Sequence, residues 1–107
     1  MSKIALFIRH QAKPGQREEL RRIWEEHVKP RAAANPEHEA YYFCYDHADP
    51  DVVSVFQLYR DEAAMQAFLG GDWYPAYLKE VSQVVAAPPQ LSPASLVWDK
   101  PRSLADT

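Results

Sequence analysis

The sequence predicts an α+β fold in which four antiparallel strands and two helical regions follow the order β-α-β-β-α-β. Three observations carry this prediction. Apolar residues alternate with a period of two over 3–12, 37–47 and 52–59. They recur at helical spacing in the intervals after the first and third of these runs, and proline, glycine or aspartate punctuates the junctions. With 107 residues, 47% of them hydrophobic and 25% charged, the chain is long enough for one core and has a globular composition.

The first strand runs through Ile4, Leu6, Ile8 and His10 on one face and Ala5, Phe7, Arg9 and Gln11 on the other. Lys13-Pro14-Gly15 ends it. Leu20, Ile23, Trp24, His27 and Val28 then form a helical stripe, with Glu18 and Glu19 near its start and Lys29 and Arg31 near its end, as the helix dipole favours. Pro30 kinks or ends this helix, and Asn35-Pro36 is a firmer stop because the residue before a proline is driven out of helical geometry. In EHEAYYFCYDH, Ala40, Tyr42 and Cys44 oppose Tyr41, Phe43 and Tyr45 across a second strand. Ala48-Asp49-Pro50-Asp51 is turn chemistry, and Val52 to Tyr59 returns as the third strand of a hairpin.

Asp61 is placed to cap a second helix, whose stripe of Ala64, Met65, Phe68 and Leu69 stops at Gly70-Gly71. A further helix then begins with Asp72 as its expected cap and buries Tyr74, Tyr77, Leu78 and Val81. Pro75 is tolerated in its first turn. Residues 91–98 can form a fourth strand, which Pro93 restricts to an edge or to a crossing segment. The single domain is expected over 1–99, and a loose tail over 100–107.

This order is that of a ferredoxin-like domain with its second helix broken at Gly70-Gly71. Such a sheet carries helices on one face only, yet the first three strands are apolar on both. The economical cover for the second face is another copy of the chain, giving a homodimer packed through the open sheet faces as a dimeric α+β barrel.

Composition also narrows the function. A formal net charge of −3 with dispersed cations offers no basic field for nucleic acid. The apolar run Ile4–Ile8 is too short for a signal peptide or a membrane span, so a cytoplasmic location without membrane attachment is expected. Cys44 is the only cysteine, which excludes an internal disulfide and a thiolate metal cluster. His38 and His47 stand about 30 Å apart on an extended strand and cannot share a metal. Both read as solvated strand ends, and no local ligand spacing indicates a metal.

From Ile4 to Val81 the chain resembles the antibiotic biosynthesis monooxygenase family. The resemblance is carried by the opening strand with "KPGQREEL", by "YYFCYDHADPD", and by "VFQLYRDEAA" running into a short helix. It implies oxidation of quinol-like or anthrone-like aromatics by molecular oxygen without metal, flavin or haem. Isomerases and cyclases share the architecture, and a non-enzymatic dimeric module binding a small aromatic ligand fits it as well. Two positions depart from the family pattern. Gln57 stands where many members have glutamate, and Phe68 stands where many have a histidine.

An enzyme of this kind needs an apolar pocket, a proton acceptor and a donor for a developing oxyanion. His10, which shares a face with Ile4, Leu6 and Ile8, is the candidate base. Trp73 and Tyr77 are candidate substrate contacts through stacking and through their polar tips, and Phe68, His27 and Trp24 complete the expected pocket. Arg9 and Arg60 could meet an anion, although surface charge is the simpler account of each.

Overall fold

A computed structural model describes residues 2–101; of the tail expected over 100–107, residues 102–107 lie outside the described residues. Eight elements follow in order: β1 (Ile4–Gln11), α1 (Arg17–His27), α2 (Lys29–Ala34), β2 (His38–Tyr45), β3 (Val52–Tyr59), α3 (Glu62–Leu69), α4 (Tyr74–Val81) and β4 (Gln90–Ser95). The sheet has the order β2-β3-β1-β4, with every neighbouring pair antiparallel. This is the expected ferredoxin-like arrangement, with each helical region divided in two.

Both divisions have local causes. Pro30 sits in the first turn of α2, where its missing N–H is harmless, and α1 ends at Val28. At the second break α3 begins on Asp61, whose Oδ1 accepts from the Ala64 N–H at 2.8 Å, as expected of an N-cap. The start of α4 differs from expectation: Trp73 occupies the cap position, and no side chain caps it. Asp72 is exposed one residue earlier. The Tyr74 N–H instead reaches back to the Gly71 carbonyl at 3.1 Å, so a backbone turn starts the helix.

The helices cover one face of the sheet. From β1 and β3, Leu6, Ile8, Val53, Val55 and Tyr59 pack against Leu20, Ile23, Met65, Tyr77 and Val81. Leu20, Val53 and Tyr59 have no exposed surface. On the opposite face Phe7 remains 48% exposed and Tyr42 59%. Their rings flank Phe56, with centroids 5.3 and 6.0 Å away. An aromatic strip therefore crosses three strands without a cover among the described residues.

The register of β2 contains one irregularity that matters for the site. His38 pairs with Tyr59 and Ala40 with Leu58, so a bulge falls at Glu39. Strict alternation would put His38 on the open face with Ala40 and Tyr42. The extra residue instead turns it to the helix side, with Tyr41 and Phe43.

Candidate functional site

Between the helix-side face of the sheet and the α3–α4 region lies a cavity of about 20 Å³, lined by His10, Tyr41, Gln57, Phe68, Tyr74 and Tyr77 together with aliphatic side chains. That volume accommodates roughly one water molecule. His10 is its most unusual wall. Only 4% of the residue is exposed, and Nδ1 has no hydrogen-bond partner among the described residues. Burial lowers its pKa to about 4, so the ring is neutral at physiological pH.

Beside it stands a hydrogen-bonded chain across three elements. The Asn35 amide lies 2.9 Å from His38 Nδ1, and His38 Nε2 lies 3.0 Å from Gln57 Oε1. The Tyr59 hydroxyl donates to the same Gln57 oxygen. An amide donor on Nδ1 and a carbonyl acceptor on Nε2 define the neutral Nε2–H tautomer of His38. Burial lowers the pKa of His38 against the opposing effect of its bond to Gln57, in keeping with that neutral form. Gln57 is only 2% exposed, and a glutamine carbonyl can accept both bonds without placing a charge in the interior.

Aromatic packing fixes the same residues. The His38 ring lies 4.3 Å from Tyr59 and meets Phe68 edge-on at 4.5 Å. Phe68 therefore does not leave the helix position without an imidazole nearby: His38 reaches it from β2. Burial also raises the pKa values of Tyr41, Tyr59, Tyr74 and Tyr77, which keeps these phenols protonated as hydrogen-bonding groups.

The candidates from sequence occupy distinct places. His10, Tyr77 and Phe68 share the interior cavity. Trp73 lies on the same side of the sheet but lines a separate surface groove with Arg31, Asn35, Glu37 and Phe68. Phe68 is the common wall, and its ring is 5.1 Å from that of Trp73. Trp24 stands behind the cavity: its Nε1–H donates to the Tyr41 hydroxyl at 2.9 Å, and its ring stacks on Phe43 at 4.2 Å. His27 is outside the cavity wall, with Nε2 2.8 Å from Glu80 and its ring 5.9 Å from that of Tyr77.

Glu26, His27 and Glu80 bring possible ligand atoms within 4.8 Å of one another. The His27–Glu80 contact and the 3.1 Å Arg22–Glu26 ion pair account for the cluster without a metal. Arg9 is exposed, and Arg60 pairs with Glu37 at 2.9 Å and with Asp61 at 3.7 Å. His38 is the residue that departs most from expectation, because it is half-buried and bonded on both nitrogens.

Gly71 shows what the double glycine does here. A Cβ on Gly71 would lie 2.3 Å from Trp73 Nε1 and 2.7 Å from Cδ1, so the indole packs directly on the glycine backbone. Phe68, Tyr74 and the Arg31 guanidinium confine that indole on its other sides. Gly71→Ala is expected to lower stability by about 1–3 kcal/mol, as overpacking does, and to displace Trp73. Chemical denaturation followed by tryptophan emission measures both effects; an unchanged midpoint and spectrum would contradict this packing.

No helix of the described residues is long and apolar enough to cross a membrane. Among curated proteins, no sequence matches the chain at a significant level. Solved structures do. A protein of unknown function from Nitrosomonas europaea is 30% identical, with a TM-score of 0.80 over 96% of this chain and 97% of that one. A protein from Mycobacterium tuberculosis is 22% identical with a TM-score of 0.79, covering 92% and 98% of the two chains. A candidate antibiotic biosynthesis monooxygenase from Caulobacter crescentus superposes with a TM-score of 0.82 at 18% identity, over 91% and 92%. The sequence model for antibiotic biosynthesis monooxygenases matches residues 3–80. The chain belongs to the antibiotic biosynthesis monooxygenase family.

Proposed function

We propose that this protein is a cofactor-independent monooxygenase of electron-rich phenolic aromatics, quinol-like or anthrone-like, with His10 as the proton acceptor. The observation that carries the reading is the buried Nδ1 of His10 in the wall of the interior cavity, without a protein hydrogen-bond partner among the described residues. Burial keeps the ring unprotonated, and a phenolate left beside it would favour the imidazolium once the proton is transferred.

The chemistry follows from that base. His10 removes the substrate's acidic proton, and the resulting electron-rich anion passes one electron to oxygen. The radical pair recombines to form a carbon–oxygen bond. For an anthrone-like methylene, loss of water then leaves one atom of oxygen in a new carbonyl and the other in the water. The protonated tyrosines Tyr74 and Tyr77 supply donors for the negative oxygen, and the apolar walls exclude water during the electron transfer.

A substrate ring does not fit a space of about 20 Å³. The phenyl ring of Phe68 has the size of a substrate ring, and it separates the cavity from the groove at Trp73. Its outward rotation admits the substrate to a slot bounded by His38, Tyr59 and the His10 cavity. We further infer a homodimer through the aromatic strip of Phe7, Tyr42 and Phe56, because nothing among the described residues covers those rings. Oxygen uptake with a panel of hydroquinones and anthrones tests the activity; absence of protein-dependent uptake across the panel would sink it.

A further inference from the structure

The groove outside Phe68 carries a feature that neutral quinols do not call for. It has a volume of about 430 Å³, within the range of small-molecule pockets. Phe68 and Trp73 give it aromatic walls, while Ala34, Ala64 and Ala67 leave it room. Arg31 stands at its edge with its guanidinium 4.9 Å from the centre of the Trp73 ring.

The charge of Arg31 is not neutralised locally. Its Nη1 donates to the His27 carbonyl at 2.6 Å, a neutral acceptor, and it forms no ion pair among the described residues. Glu37, the acid among the lining residues, is taken by Arg60 at 2.9 Å. Stacking on the indole holds the guanidinium plane in place and leaves other N–H groups for a bidentate partner.

We propose that this groove binds a planar aromatic anion, with its ring against Trp73 and Phe68 and its carboxylate on Arg31. The proposal rests on the oxygenase reading for the fate of the bound ring and deepens it: the substrate class becomes hydroxylated aromatic carboxylates. Arg31 sets the specificity, and Phe68 separates the bound ring from His10.

Binding alone tests this. The indole N–H signal of Trp73, identified by its loss in Trp73→Phe, is followed by NMR during titration with para-hydroxybenzoate and, separately, hydroquinone. The expected result is a shift of the Trp73 signal with the carboxylate binding roughly tenfold more tightly than hydroquinone. Arg31→Gln, an exposed substitution, removes that preference, weakening carboxylate binding far more than hydroquinone binding. Equal affinities for the two probes, unchanged carboxylate affinity in Arg31→Gln, or shifts confined to the Trp24 and Trp98 signals would overturn the proposal. Oxygen uptake with neutral quinols but no carboxylate preference would refute this inference and keep the oxygenase. Carboxylate binding without any oxygen uptake would do the reverse.

Discussion

His10→Leu is expected to reduce oxygen-dependent turnover at least about 100-fold, the scale of losing a positioned general base, while stability at pH 7 is unchanged or higher. The two halves belong together. Leucine fills a similar volume among Ile8, Val28 and Val55 and removes a polar atom that no protein group among the described residues bonds. A histidine retained for packing would show the opposite pattern, with lost stability and retained turnover.

The same substitution has a signature in pH. Folded His10 takes up its proton near pH 4, while the unfolded chain does so near 6.5. Between those values the unfolded state binds the additional proton, so stability falls as pH decreases from 6.5 towards 4 and is fully present above that window. The difference corresponds to about 3 kcal/mol. His38, also shifted downward, adds to the slope in the same direction. Denaturation midpoints between pH 4 and 7 should therefore be markedly flatter in His10→Leu than in the wild type. Turnover in the wild type should stay level through neutrality and fail only at the acid end, where the base is protonated.

The second large effect is expected on the open face. Wild-type protein should sediment as a dimer at micromolar concentration, and Phe7→Glu should sediment as a folded monomer. In a two-fold interface the substitution places a carboxylate from each copy in an aromatic strip, where an unpaired charge is strongly disfavoured. Weakening of the dimer by about 100-fold or more is expected. Phe7 is 48% exposed in the single chain, so the fold itself does not depend on it. A wild-type monomer at the same concentration would remove the homodimer from the account. A dimer unaffected by Phe7→Glu would place the interface elsewhere.

Much of this architecture is legible in the residues. Period-two alternation locates three strands, Pro30 divides the first helical region, and Asp61 declares the start of α3 through its side-chain oxygen. Of the two places that Pro93 allows, an edge or a crossing segment, β4 takes the edge, beside β1 alone. The same local rules misplace the cap of α4, because Asp72 has the chemistry of a cap but the backbone turn from Gly71 makes one unnecessary.

The site is harder to read because its parts meet through tertiary register. His10 follows from parity along a regular strand. His38 does not, because the bulge at Glu39 reverses its face and no glycine marks the irregularity. Gln57 reads in sequence as a missing carboxylate; in space it is the acceptor shared by His38 and Tyr59. Gly71 reads as a helix stop, and only the fold shows that an indole rests on it. Trp73 and His10 belong to neighbouring spaces divided by Phe68, a separation that spacing along the chain cannot express.

The proposed role of His10 in oxygen chemistry on a phenolic ring is tested most directly by oxygen uptake of wild type and His10→Leu with the same panel of hydroquinones and anthrones, in air and under anaerobic conditions. The expected result is protein-dependent uptake coupled to substrate loss in the wild type, none without oxygen, and at least about 100-fold less in the variant. Substrate loss that persists without oxygen, or equal uptake by the two proteins, would contradict it.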